Sequence, residues 1–86
     1  MATRRGISKT LNSAAHAAFC ALMVETREKA GLTQQQLARK LRKPQSFVAK
    51  YEGGERRVDV IEFMAIARAM DADAVSLLRA LTQRAS

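Results

Sequence analysis

Side chains that can bind the edges of DNA bases lie close together in the middle of the sequence. Gln45, Ser46 and Lys50, together with Ala49, share one face of a helix that is predicted to begin at Pro44. A glutamine amide can pair with adenine N6 and N7, a lysine can donate to guanine O6 or N7, and a serine hydroxyl suits several bases. This pattern predicts a face that contacts bases in double-stranded DNA. The alternative is an ordinary solvated face of a helix.

The charge of the chain favours a polyanionic partner. Its 86 residues include 15 Lys and Arg against eight Asp and Glu, a formal net charge of +7. Between residues 39 and 57 there are seven basic and two acidic residues, whereas residues 59–86 hold three basic and four acidic ones. A small basic protein of this kind suits nucleic acid and, in some cases, an anionic membrane. A solvated charged surface with no partner is the alternative.

Composition and length exclude several classes of protein. A chain of 86 residues forms one domain and cannot build an enzyme with a cleft between two lobes. Its single Cys cannot form an internal disulfide, and one Cys with one His cannot complete a zinc site. No catalytic cluster is recognisable, so we expect no enzyme activity and no cofactor. No apolar run approaches the length of a membrane span, and no signal peptide is recognisable, so we expect a cytoplasmic protein.

Apolar residues recur at spacings of three and four, which predicts an all-α chain of five helices. Residues 1–10 are polar and basic and are predicted to form a flexible arm, so that the folded domain spans residues 11–83. Helices are expected at residues 13–30, 33–41 and 44–52, with two more after Asp59 and Asp73.

Local signals mark several helix starts. Thr33 and Asp59 are each followed three residues later by a partner, Gln36 or Glu62, that gives the spacing of a capping box. Pro44 suits the first residue of the third helix because its fixed φ is helical and its missing N–H is not needed there.

The apolar stripes also predict which faces point inward. His16 is expected to be exposed and Cys20 to be a buried thiol. The inward residues are expected to be Phe19, Cys20, Met23 and Val24 in the first helix, Leu37, Ala38 and Leu41 in the second, Phe47 or Val48 with Tyr51 in the third, Ile61, Met64, Ala67 and Met70 in the fourth, and Ala74, Leu77, Leu78 and Leu81 in the fifth.

The second and third predicted helices have the spacing of a helix-turn-helix unit over residues 33–52. Ala38 falls at the crossing point, where only a small side chain lets the two helix axes approach. The segments GLTQQQLA (residues 31–38) and PQSFVAKYEGGERR (residues 44–57) resemble the Cro/repressor-type helix-turn-helix, the XRE family. The resemblance extends over about residues 23–78. It implies a compact five-helix, lambda-repressor-like domain that binds operator DNA, usually as a two-fold dimer.

The resemblance also implies roles for individual residues. Gln45, Ser46 and Lys50 match the positions that read bases. Contacts to DNA phosphates are expected from Gln34 at the start of the second helix and from Arg56 and Arg57 in the loop after the third helix. Lys43 in the turn is a further candidate on the basis of its charge.

Arg27 and Glu52 match an Arg–Glu pair that connects the first helix to the end of the third. Two positions depart from the family pattern, because Arg42 in the turn and Asp71 after the fourth helix occupy places where glycine is common. If the turn needs a positive φ, Arg42 costs roughly 1 kcal/mol there.

The resulting hypothesis is a sequence-specific transcriptional regulator, a small repressor or controller, that binds a near-palindromic operator as a homodimer. The stretch Met70, Ala72, Ala74 and Val75 is the expected dimer interface. One alternative is an antitoxin or adapter whose main role is to bind a protein partner such as a toxin. Another is non-specific binding of nucleic acid or membrane through charge alone.

Overall fold

The computed structural model describes residues 13–85, which fold as predicted into an all-α domain. No strand is present in this part of the chain. The predicted basic arm at residues 1–10 lies outside the described residues. The helices are α1 (Ala14–Lys29), α2 (Gln34–Leu41), α3 (Gln45–Glu52), α4 (Val60–Ala69) and α5 (Ala74–Ala85).

Hydrogen bonds at the helix starts confirm both capping boxes. Thr33 Oγ1 accepts from Gln36 N at 3.0 Å while Gln36 Oε1 accepts from Thr33 N at 2.9 Å. Asp59 and Glu62 form the same reciprocal pair at the start of α4. The prediction for Pro44 was wrong by one residue, because its ψ of 155° is extended and the helix begins at Gln45. Pro44 therefore flanks the helix as its N-cap.

Two turns contain residues with left-handed backbone. Arg42 has a φ of 58° and Asp71 a φ of 56°, so both positions adopt the conformation for which glycine is usual. In the turn between α2 and α3, this conformation lets Lys43 N donate to Ala38 O at 3.0 Å. The chain thus keeps the tight turn without glycine, at a cost of roughly 1 kcal/mol for Arg42.

The core lies between the helix pair α2–α3 and the helices that surround it. Met23, Leu37, Val48 and Tyr51 have no exposed surface, and Ile66 of α4 closes the same cluster. Between the two candidates in α3, Val48 is the buried residue.

The predicted inward face of α4 was only partly right, because Ala67 and Met70 are buried but Ile61 and Met64 are not. Ile61 and Met64 are 74% and 54% exposed, whereas Phe63 and Ile66 are buried beside Ala67. Both stripes of this helix are apolar, so the sequence pattern does not decide between them. The stripe with the large Phe63 side chain fits the space against α1 and α2.

Two further expectations need correction. Leu78 was predicted to face inward but is 49% exposed, and Leu77 is the buried leucine of α5. His16 was expected to be exposed but is only 9% exposed, in the first turns of α1 and near the ring of Phe19. Alanines flank His16 on both sides in the sequence, so the local pattern does not show that His16 lies on the inward face of α1.

Candidate nucleic-acid interface

The two helices of the helix-turn-helix pack at their crossing point. Ala38 of α2 is 2% exposed and lies beside fully buried Val48 of α3 in the core cluster. Tyr51, one turn further along α3, is also fully buried. Since Val48 and Tyr51 occupy the inner face of α3, the orientation of the opposite face is fixed by the core.

That opposite face carries the predicted base-reading residues. Gln45, Ser46 and Lys50 are all exposed on α3, and Ala49 between them is half-buried. Ser46 and Lys50 are four residues apart and thus adjacent on the helix surface. The structure therefore brings the three side chains to one accessible face, which is the arrangement that a helix in the major groove requires.

A hydrogen-bond network joins this face to the interior. Arg27 of α1 donates through Nε to Glu52 Oε2 at 2.7 Å and through Nη2 to Glu52 Oε1 at 3.1 Å. Gln34 Nε2 donates to the same Oε1 at 2.9 Å. Gln45 Nε2 in turn lies 3.4 Å from Gln34 Oε1, a long hydrogen bond. A series of hydrogen bonds thus connects Gln45, through Gln34, to the ion pair between Arg27 and Glu52.

The ion pair itself is well shielded from solvent. The side chains of Arg27 and Glu52 are 11% and 4% exposed. Hydrogen bonding to Glu52 is the main cause that raises the pKa of Arg27 above its ordinary value. Arg27 Nη1 also donates to Leu32 O at 2.9 Å, in the loop before α2. One guanidinium therefore connects α1, the loop before α2 and the end of α3.

The residues predicted to contact phosphates differ in their surroundings. Lys43 and Arg57 are exposed at the two ends of α3. Gln34 is half-buried and already hydrogen-bonded to Glu52. Arg56 forms a bidentate ion pair with Glu62 of α4, at 2.8 and 3.0 Å. The four predicted side chains thus differ in exposure: Lys43 and Arg57 are exposed, whereas Gln34 and Arg56 are half-buried.

The contacts of Glu62 and Phe47 with basic side chains were not predicted from the sequence. Glu62 was identified only as a capping residue, yet it also holds Arg56. The ring of Phe47 lies under two cations, with Arg56 Cζ 4.8 Å and Lys43 Nζ 5.5 Å from its centroid. The sequence offered one signal for these contacts, namely that basic residues lie near Glu62 and near Phe47 along the chain. Phe47 had been considered only as a candidate for the core.

Much of the stretch predicted as a dimer interface is covered within the monomer. Met70 is 3% exposed and belongs to the core, while Ala72 and Ala74 are half-buried against it. Exposed apolar residues lie on α4 and α5. Four of them line one groove beside Phe63, namely Val60, Met64, Val75 and Leu78, and Ile61 follows Val60 in α4. We call this surface the α4–α5 patch, and it consists of Val60, Ile61, Met64, Val75 and Leu78.

Within residues 13–85 no group of three or more His, Cys, Asp and Glu side chains is arranged to hold a metal ion. No helix in the same range has the length and apolar character needed to cross a membrane.

Comparisons with known proteins agree with this geometry. A family model described as helix-turn-helix matches residues 24–77. An XRE-family like protein from Pseudomonas syringae pv. tomato is 44% identical and similar in structure, with a TM-score of 0.81 over 93% of this chain and 98% of that chain. No curated protein sequence matches this chain.

Two more distant structures share the fold. The wild-type restriction-modification controller protein C.Esp1396I is 18% identical, with a TM-score of 0.76 over 84% of this chain and 95% of that one. The clp gene regulator ClgR from C. glutamicum is 19% identical, with a TM-score of 0.76 over 86% and 96%. The family match and the 44% identical relative show that the chain belongs to the XRE family of helix-turn-helix proteins.

Proposed function

We propose that this protein is a sequence-specific, double-stranded DNA-binding transcriptional regulator, a small repressor or controller that binds a near-palindromic operator. The observation that carries the proposal is the exposed face of α3, where Gln45, Ser46 and Lys50 stand opposite the buried Val48 and Tyr51. Hydrogen-bonding side chains on a helix that the core holds in one orientation suit direct contacts with base edges in the major groove.

Charge and family support the same proposal. Residues 39–57, which include the end of α2, all of α3 and the loop after it, hold more basic than acidic side chains. Non-specific electrostatic attraction to phosphates is therefore expected to bring DNA to this surface. A restriction-modification controller and a clp gene regulator have the same fold. Regulation would follow from occluding a promoter or recruiting polymerase.

Selection of bound sequences from a random pool of duplex DNA tests the proposal. We expect enrichment of an inverted repeat whose half-sites are separated by about one helical turn, about 34 Å. Recovery of a pool as diverse as the starting one, at a salt concentration where the protein binds DNA, would contradict it. The alternatives of an antitoxin or adapter that binds mainly a protein, or of binding by charge alone, predict that second outcome.

Arg57 is expected to contribute affinity without sequence preference. Replacing it with alanine should weaken binding to every duplex alike and reduce the salt dependence, the slope of log K against log salt concentration, by about one unit. Titrations of the selected and an unrelated duplex at several salt concentrations measure both effects. An unchanged slope would remove Arg57 from the set of phosphate contacts.

The α4–α5 patch is the proposed dimer interface. Its five apolar side chains are about half to three-quarters exposed in the monomer, and apolar surface of this kind favours association. Leu78→Lys should therefore lower the number of protein molecules bound per duplex from two to one, or abolish binding. Ala21→Lys, which adds the same charge on an exposed position of α1, serves as the matched control. Sedimentation with the selected duplex measures the stoichiometry, and one wild-type protein per duplex would contradict the dimer.

A further inference from the structure

The guanidinium of Arg56 is engaged on several sides within the protein. Its Nη1 donates to Glu62 Oε1 at 3.0 Å and its Nη2 to Glu62 Oε2 at 2.8 Å, the parallel geometry of a bidentate pair. Nη1 also donates to Arg57 O at 2.8 Å. Three of the five guanidinium N–H groups are thus directed at α4 and at the loop itself.

Glu62 is held in place independently of Arg56. Its Oε1 accepts from Asp59 N at 3.0 Å and its own N–H donates to Asp59 Oδ1 at 2.7 Å, so the capping box of α4 fixes the carboxylate. Hydrogen bonds from Arg56, followed by that from the Asp59 N–H, lower the pKa of Glu62 to about 2. At any pH near neutrality Arg56 therefore faces a charged partner that the capping box restrains.

The third contact of Arg56 is with α3. Its Cζ lies 4.8 Å from the centroid of the Phe47 ring, within the range of a cation–π contact. Phe47 in turn packs edge-on against Tyr51, with the ring centroids 5.5 Å apart. A single side chain thus links α3, the loop that follows it and the first turn of α4. We call Arg56, Glu62 and Phe47 the Arg56 clamp.

The clamped loop is attached directly to a base-reading residue. Glu55 N and Arg56 N donate to Lys50 O at 2.9 and 3.3 Å. The loop also carries Arg57, the exposed candidate for a phosphate contact. Loosening the clamp would consequently disturb both the last turn of α3 and the position of Arg57.

We propose that Arg56 is a positioning residue that fixes the loop after α3 for DNA binding, and that it does not itself bind a phosphate. A transfer of its guanidinium to DNA would break two charge-assisted hydrogen bonds and the contact with Phe47, and would leave the Glu62 carboxylate close to the DNA without its partner. The inference rests on the proposed function, because it concerns how the DNA-binding surface is held.

Glu62→Gln distinguishes the two roles by the sign of its effect. Glutamine also serves as the third residue of a capping box, so the start of α4 is preserved while the charge on Arg56's partner is removed. If Arg56 is a positioning residue, the variant binds the selected duplex roughly two- to tenfold more weakly, the modest range expected for a partly exposed pair, with an unchanged salt slope. If Arg56 binds a phosphate, releasing it from Glu62 tightens binding, and that result would overturn the inference.

Arg56→Lys is the second variant. Lysine keeps the positive charge that a phosphate contact needs but not the bidentate geometry that the clamp needs. We expect it to weaken DNA binding about as much as Arg56→Gln does, with the salt slope of the wild type in both variants. Full rescue by lysine, or a slope that falls by about one unit in Arg56→Gln, would show a phosphate contact and refute the positioning role.

Amide hydrogen exchange of the free protein gives a readout that does not depend on DNA. Exchange in residues 53–58 should be faster in Glu62→Gln and Arg56→Lys than in the wild type, because the loop loses its connection to α3 and α4. Unchanged exchange there would overturn the clamp even if DNA binding were lost. A wild type without any sequence preference, combined with faster exchange in both variants, would reject the proposed function while leaving the clamp intact.

Discussion

Replacing Lys50 with alanine is expected to weaken binding to the selected DNA site by about 1–3 kcal/mol while leaving the affinity for unrelated DNA nearly unchanged. Lys50 is exposed on the same face as Gln45 and Ser46, and its removal takes away a donor that favours guanine over other bases. Gln45→Ala should have an effect of the same kind. Competition between the selected duplex and single-base variants of it measures the change at each position.

Lys40→Ala is the matched control for this experiment. It removes the same charge, but from α2, where Lys40 borders a groove with Arg68 and Asp73 on the side of α4 and α5. The control should leave the preference at every base position as in the wild type. If Lys50→Ala discriminates among the base variants as the wild type does, the base-reading role of Lys50 is wrong.

Removing Arg27 is expected to cause the largest loss of stability of any single ion-pair substitution in the described part of the chain. In Arg27→Met the Glu52 carboxylate, whose side chain is 4% exposed, would keep only the hydrogen bond from Gln34. A buried charge without its partner is costly, and we expect about 2–4 kcal/mol of lost unfolding free energy. For a domain of this size that corresponds to a Tm lower by roughly 10–25 °C.

A double-mutant cycle separates the pair from its surroundings. Glu52→Gln removes the charge that Arg27 needs, and the combined variant should recover part of the stability lost in Arg27→Met because no isolated charge remains. Arg84→Met, which breaks an ion pair with Glu25 between side chains 37% and 49% exposed, is the solvent-exposed control and should change Tm far less. A coupling energy of zero would mean that Arg27 and Glu52 contribute independently.

Features set by a few neighbouring residues were predicted well from the sequence. The capping boxes at Thr33 and Asp59 need only residues three positions apart, and both form. Such signals are local because the hydrogen bonds that define them close within one turn of helix.

Features that depend on tertiary packing were predicted less well. The pattern of α4 offers two apolar stripes, and only the space between α1 and α2 selects the one with Phe63 and Ile66. The wrong choice also hid the α4–α5 patch, because Ile61 and Met64 were assigned to the core. The partner of Arg56 was missed for a related reason: Glu62 lies six residues further along, in α4, and only the path of the loop at residues 57–59 brings the two side chains together.

The ratio of the affinities for the selected duplex and for a scrambled duplex of equal length and composition tests the central claim most directly. We predict that the wild-type protein prefers the selected duplex by about a thousandfold or more near physiological salt, as specific DNA-binding proteins do. The preference should persist as salt is raised, because raised salt weakens mainly the phosphate contacts common to both duplexes. Equal affinities for the two duplexes, falling together with salt, would contradict the claim that α3 reads a DNA sequence.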